Sequence, residues 1–261
     1  MTTIHLETFG KGKPIVLVHG WAMHTGIWRE FARQLALNYQ VTCIDLPGHG
    51  YSEKIDPFAL ERISAELVNA IPEQSCWLGW SFGATVVLDI ASRYPDRVSS
   101  LVLLAGNPCF TRSGLGTHDW PGMDIRLLDD FADQLNESCQ ATLLRFLSLQ
   151  VNDLPEQKAL LKVLRAAIYE CDPPDGHTLQ GGLAILKQAD MRPALSELKT
   201  PVSVILGSLD TLVPVAVAQK MQQLLPSLEL NIIGSAGHVP FLSHGRETLA
   251  IISRFMDEQC L

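Results

Sequence analysis

The sequence predicts an α/β fold: a mostly parallel sheet flanked by helices, with a helical insertion at one edge. Three observations lead there. Short apolar runs rich in Val, Ile and Leu alternate with amphipathic helical stretches before residue 110 and again after residue 200. The runs are continuously apolar, the mark of strands covered on both faces, as in parallel sheets. Between the two halves, from about residue 111 to 189, helical patterns follow one another with no clear strand. At 261 residues, 47% hydrophobic and 18% charged, the chain suffices for one large core carrying such an insertion. The expected organisation is a sheet domain of residues 1–110 and 191–261 with a helical lid of residues 111–190.

The elements follow in order. Ile15-Val16-Leu17-Val18 is a buried strand ending at His19-Gly20-Trp21, followed by a helix over about 25–37. Val41-Thr42-Cys43-Ile44 is the next strand, ending at Asp45-Leu46-Pro47-Gly48-His49-Gly50. A helix over 60–70 sets Leu60, Ile63 and Leu67 on one core-facing stripe. Ser75-Cys76-Trp77-Leu78 is a strand, and the helix after it is stopped at Tyr94-Pro95. A strand over 98–104 ends at Ala105-Gly106-Asn107-Pro108. Helical stretches are expected over 124–136, 138–149, 155–168 and 177–187. Strands return over 202–206 and 228–233, separated by a helix over 215–225. A last helix from about Gly245 carries Leu249, Ile252 and Met256. An insertion leaving the end of the 98–104 strand lies over the carboxyl edge of the sheet, where open α/β sheets bind ligands.

The chemistry centres on Gly79-Trp80-Ser81-Phe82-Gly83, a G-x-S-x-G pattern between a strand and a helix. With glycine near 7% of residues, chance supplies this pattern in roughly one chain in ten, so its surroundings decide its meaning. On a sharp strand-to-helix turn Ser81 projects its hydroxyl above the sheet, and residues two before and two after must be small. A serine nucleophile needs a base, and the base an orienting acid. Asp210 lies just past the 202–206 strand, through Gly207-Ser208-Leu209. Asp45 also ends a strand, but the turn after it reads as structural, and the alternative acid position holds Asn107. Of eight histidines, His238 alone stands in the loop directly after the last strand, before the last helix and after Asp210, in the order Ser-Asp-His that this arrangement uses. His19 and His49 sit in glycine turns as loop braces, His24 and His244 at helix starts as exposed or capping groups. His5 and His118 read as exposed rings without a motif, and His177 lies deep in the lid sequence, also without one. The backbone N–H groups of Trp21 and Phe82 are the expected oxyanion donors, the second at a helix start where the dipole favours negative charge.

The bulk properties exclude other classes. A net charge of −8 argues against a nucleic-acid partner, which calls for a basic face. Six cysteines, Cys43, Cys76, Cys109, Cys139, Cys171 and Cys260, include no C-x-x-C pair, and several lie in apolar runs as small buried hydrophobes. The start, Met1-Thr2-Thr3-Ile4-His5-Leu6-Glu7, lacks signal-peptide character, and no apolar run reaches the ~20 residues of a membrane span. A cytoplasmic protein is expected. No H-E-x-x-H, Cys/His cluster or G-x-G-x-x-G after a strand occurs, so neither a metal nor a cofactor is expected.

With these residues placed, the chain resembles the α/β-hydrolase superfamily from Ile15 to the final helix. A closer resemblance is to the pimeloyl-[acyl-carrier protein] methyl ester esterase family of biotin synthesis. The residues that carry it in the sheet domain are His19-Gly20-Trp21, Asp45-Leu46-Pro47-Gly48, Trp77-Leu78-Gly79-Trp80-Ser81, Pro108-Cys109-Phe110, Leu209-Asp210-Thr211-Leu212-Val213-Pro214 and His238-Val239-Pro240-Phe241. Inside the lid they are Trp120-Pro121-Gly122, Arg145-Phe146-Leu147-Ser148-Leu149-Gln150 and Gly181-Gly182-Leu183. The resemblance implies hydrolysis of a methyl ester at the far end of a pimeloyl chain tethered to acyl carrier protein, with Ser81, Asp210 and His238 catalytic and no cofactor. It implies substrate contacts at Trp21, Ser81, Phe82, Phe146, Leu147, Ser148, Leu149, Gln150 and His238. Phe146 and Leu149, three apart, share a helix face that serves either an acyl tunnel or the lid's own core. Acyl carrier proteins are acidic, so Arg145 and the helically spaced Lys158, Lys162 and Arg165 are docking candidates, set against a plain solvated face. The chain is expected to be a monomer. A broad short-chain esterase or thioesterase, or a carbon–carbon bond hydrolase, of the same fold carries the same triad. A receptor that keeps the fold without catalysis is the alternative outside enzymes.

Overall fold

A computed structural model describes residues 2–112 and 119–258. His118, Cys260 and residues 113–118 of the expected lid lie outside the described residues. The strands are β1 (Leu6–Phe9), β2 (Pro14–Val18), β3 (Gln40–Ile44), β4 (Ser75–Trp80), β5 (Val98–Leu104), β6 (Val202–Gly207) and β7 (Glu229–Ile233). They form one seven-stranded sheet in the order β1-β3-β2-β4-β5-β6-β7. Only β1 runs antiparallel, against β3; every other pairing is parallel. β4 and β6 are buried along their whole length, which is why these stretches read as unbroken apolar runs.

The chain moves from β2 outward to β3, then returns past β2 to β4 and continues outward on the other side. That reversal opens a crevice at the carboxyl ends of β2 and β4, where such sheets bind ligands. Val18 pairs with Gly79 at this edge, so the turns after the two strands emerge side by side. The loops after β6 and β7 leave from the same edge.

The core helices are α1 (Arg29–Leu35), preceded by a 3-10 turn Thr25–Trp28, then α2 (Leu60–Ala70) and α3 (Phe82–Arg93). Between β5 and β6 come α4 (Ile125–Glu137), α5 (Cys139–Gln150), α6 (Gln157–Ile168) and α7 (Gly176–Gln188). After them follow α8 (Arg192–Glu197), α9 (Val217–Leu224), α10 (Pro240–Ser243) and α11 (Gly245–Glu258). The four inserted helices bury Leu128, Phe131, Phe146, Leu147, Leu164 and Leu183, which are continuous with the core of the sheet domain. Each such side chain contributes about 1.5–3 kcal/mol.

Polar contacts tie the insertion to the sheet domain. His24 Nε2 donates to the Ala167 carbonyl at 2.7 Å. The Trp21 indole N–H donates to the Leu179 carbonyl at 3.0 Å. Arg29 makes a two-pronged pair with Glu170 at 2.6 and 3.0 Å, and Lys54 reaches Asp175 at 2.8 Å. His24, expected as an exposed or capping group, caps the 3-10 turn by accepting from Gly26 N, but it is buried. The insertion covers it, which the local sequence does not reveal.

Candidate active site

The turn after β4 is as tight as its sequence implies. Ser81 has φ 56° and ψ −118°, a left-handed conformation that costs a residue with a β-carbon about 1–3 kcal/mol. A β-carbon on Gly79 would lie 2.2 Å from the Gly83 carbonyl oxygen, and one on Gly83 would lie 2.3 Å from that of Val18. Only hydrogen fits at either position. The strain is held by the ladder to β5, through Ser81 N–H donating to Leu104 O at 3.0 Å, and by the start of α3.

His238 and Asp210 reach this serine from the next strand ends. His238 Nε2 lies 2.8 Å from Ser81 Oγ, and His238 Nδ1 lies 2.8 Å from Asp210 Oδ2. A carboxylate only accepts, so the imidazole proton sits on Nδ1 and leaves Nε2 free to accept the serine hydroxyl. Asp210 Oδ1 is occupied by the backbone N–H groups of Leu212 at 2.8 Å and Val213 at 2.9 Å. All three side chains are buried, Ser81 at 4% exposure and His238 at 1%. The acid and base loops are stitched together: Leu209 N–H donates to Ala236 O at 2.8 Å, and Ser208 N–H to Ile233 O at 3.0 Å.

The loop after β2 lies against the serine, because a β-carbon on Gly20 would sit 3.3 Å from Ser81 Cβ. Its peptide orientation is set by neighbours. Leu46 N–H donates to His19 Nε2 at 3.0 Å, which leaves the proton on Nδ1 to donate to the Gly20 carbonyl at 2.8 Å. Met23 N–H donates to the same carbonyl at 3.2 Å. The trans peptide then directs the Trp21 N–H the opposite way. Phe82 opens α3, so its N–H has no partner within the helix. Burial drives the pKa of both His19 and His49 down to about 3, so the two rings stay neutral.

The alternatives weighed from sequence have other work. Asp45 accepts from Thr25 N at 2.6 Å and Tyr51 N at 3.0 Å, holding the turn after β3. Asn107 Oδ1 accepts from Cys109 N at 3.1 Å and from the Trp120 indole at 2.9 Å. Cys43, Cys76 and Cys109 are buried, and burial pushes the Cys76 thiol up to about 12. Among the described residues no group of three His, Cys, Asp or Glu side chains is placed to hold a metal ion, and no helix is long and apolar enough to cross a membrane.

The substrate contacts implied by resemblance sit on α5 and around the serine. The Phe146 ring meets the Trp21 ring edge-on, with centroids 4.8 Å apart. Phe146, Leu147 and Gln150 are buried, whereas Ser148 and Leu149 are half-buried. The Gln150 side-chain oxygen is buried without a hydrogen-bond partner. Lys158, Lys162 and Arg165 are exposed on one side of α6, opposite buried Leu160 and Leu164. Arg145 is exposed on α5, donating to Gln134 at 2.8 Å and lying over the Phe131 ring.

Two contacts were not legible in the sequence. The Trp80 indole N–H donates to the His238 carbonyl at 2.8 Å, and His238 N–H donates to the Gln150 carbonyl at 3.2 Å. The backbone of His238 is thus held on one side by the serine turn and on the other by the inserted helices. An aromatic residue inside the G-x-S-x-G pattern is the only local sign of the first, and the second has none.

Comparison with known proteins agrees with this architecture. The profile of the alpha/beta hydrolase fold family matches residues 13–245. A pimeloyl-[acyl-carrier protein] methyl ester esterase from Methylococcus capsulatus is 40% identical over 97% of this chain and 98% of its own. One of the same name from Nitrosomonas europaea is 39% identical over 93% of this chain and 95% of its own. Among solved structures, an esterase from Exiguobacterium antarcticum superposes with a TM-score of 0.85 at 21% identity, over 98% of this chain and 96% of that one, a likeness of fold. With a sheet of this order, a tight serine turn at its crevice and relatives this similar over nearly the whole length, the chain belongs to the alpha/beta hydrolase fold family and, within it, to the pimeloyl-[acyl-carrier protein] methyl ester esterases.

Proposed function

We propose that this chain is a serine carboxylesterase that hydrolyses the methyl ester of pimeloyl-[acyl-carrier protein] methyl ester, releasing methanol and pimeloyl-[acyl-carrier protein] for biotin synthesis. The observation that carries the reading is the buried hydrogen-bonded chain Asp210–His238–Ser81, 2.8 Å at each step. The relatives named for this reaction supply the substrate.

In this mechanism His238 Nε2 takes the Ser81 proton as Oγ attacks the ester carbonyl. The N–H groups of Trp21 and Phe82 stabilise the oxyanion, and Asp210 stabilises the imidazolium. The intermediate collapses as His238 protonates the departing methoxide, giving methanol and an acyl-serine. Water, deprotonated by His238, attacks the acyl-serine and releases the free acid with Ser81 restored. No further group is needed.

The substrate holds two cleavable bonds, a methyl ester at the chain tip and a thioester at the carrier. Residues 111–190 act as a lid that admits the tip and keeps the carrier outside, with Phe146, Leu147, Ser148, Leu149 and Gln150 along the acyl path. The carrier docks on the basic side of α6, at Lys158, Lys162 and Arg165, with Arg145 on α5 as a further candidate contact. The enzyme works as a cytoplasmic monomer.

The test is methanol release from methyl-pimeloyl carrier protein compared with free short-chain esters. A strong preference for the carrier-bound ester is expected, and Ser81→Ala abolishes turnover while the thermal midpoint holds. Equal kcat/KM on both substrate types would make the protein a broad esterase instead, and retained activity in Ser81→Ala would reassign the nucleophile.

A further inference from the structure

We infer that the C-terminal turn of α5 is a positioning element for catalysis and that Thr211 is its side-chain contact to the acid loop. The inference rests on the proposed roles of Ser81, His238 and Asp210. A helix leaves its last four carbonyls without partners inside the helix, and they must be satisfied from outside. In α5 two of these, on adjacent residues, are taken by the two loops that carry the acid and the base. The Leu149 carbonyl accepts from Thr211 Oγ1 at 3.2 Å, one residue beyond Asp210. The Gln150 carbonyl accepts from the backbone N–H of His238 at 3.2 Å.

The approach is close as well as hydrogen-bonded. A β-carbon on Gly237 would stand 3.2 Å from the Gln150 carbonyl oxygen and 2.9 Å from Leu154 Cδ1, so the base loop is packed closely against the end of α5. The same helix meets the third loop of the site through Phe146 on Trp21. One inserted helix therefore sets the register of the acid, base and oxyanion loops relative to one another. The loops after β6 and β7 hold each other, and α5 joins both of them to the loop after β2. A change in the seat of α5 shifts the triad and not merely the entrance to it.

Thr211 makes this testable, because it is exposed and the bond depends on its hydroxyl. Thr211→Val keeps the shape and removes the donor; Thr211→Ser keeps the donor. Both are compared with the full-length protein on a free short-chain p-nitrophenyl ester, which has no carrier to dock. Losing one hydrogen bond that orients the acid loop should lower kcat about threefold to tenfold in Thr211→Val. KM should stay unchanged, and Thr211→Ser should restore kcat. A Thr211→Val enzyme with wild-type kcat overturns the inference, as does a rise in KM alone or a failure of serine to rescue. If the wild-type protein neither turns over the ester nor takes a fluorophosphonate on Ser81, the triad reading itself falls; turnover and labelling with no effect at Thr211 defeat the positioning role alone.

Discussion

At Asp210 the two carboxylate oxygens have separate partners. Oδ2 takes the Nδ1 hydrogen of His238, and Oδ1 takes two backbone N–H groups, from Leu212 and Val213. An amide cannot satisfy both sides, because its oxygen accepts and its nitrogen only donates. In Asp210→Asn the oxygen is drawn to the two N–H groups and the NH2 turns toward His238. The imidazole then accepts at Nδ1 and carries its proton on Nε2, facing Ser81 with a donor where an acceptor is needed. Steady-state assays of Asp210→Asn at neutral pH should find kcat lower by about 10³–10⁴ with the fold retained. Ser81, Asp210 and His238 were legible in the sequence because glycine spacing and chain order locate them without knowledge of the packing. Trp80 and Gln150 were not: their bonds to His238 join residues far apart in the chain, and neither residue type announces a partner.

Among the elements, the turns after β2 and β3 depend on two imidazoles that must stay neutral. His19 links the Leu46 N–H to the Gly20 carbonyl, and the His49 ring packs against it with centroids 5.2 Å apart. Burial holds both at a pKa of about 3, against about 6.5 in the unfolded chain. Between those values the unfolded state binds protons that the folded state refuses, so stability falls as pH drops below about 6.5. Urea unfolding should give a free energy lower by about 2–3 kcal/mol at pH 5.5 than at pH 7 from these two rings. A His49→Gln variant should show a shallower decline over the same window. Element type was readable wherever a run was long or strongly periodic, as in β5, α4 and α11. β1 escaped because four residues at a sheet edge, alternately exposed and half-buried, carry too short a pattern. α8 and α10 escaped because each is a short turn opened by proline.

At the scale of the whole molecule, charge and topology divide the work. The net charge is −8, yet Lys158, Lys162 and Arg165 lie together on the exposed side of α6. A local patch steers an acidic partner even when the total charge is of the same sign as the partner's. Charge reversal at Lys162 and Arg165 (K162E with R165E) should raise KM for the carrier-bound ester several-fold, most at low salt, and leave a small free ester unaffected. Equal effects on the two substrates would remove α6 from carrier recognition. The insertion was readable as helices but its seating was not, since the contacts that fix it, such as Trp21 to Leu179, join residues 158 apart.

The bond between Ser81 and His238 spans 157 positions of sequence, with the whole insertion lying between its ends. A chain growing from its amino end therefore makes the strained serine turn long before the imidazole that meets it. In the proposed mechanism the serine is an ordinary alcohol until the segment beyond β7 emerges and docks, so a chain cut before His238 should be silent toward esters. Hydrolytic power therefore waits on the loop beyond β7, which comes late in the chain and closes the site last.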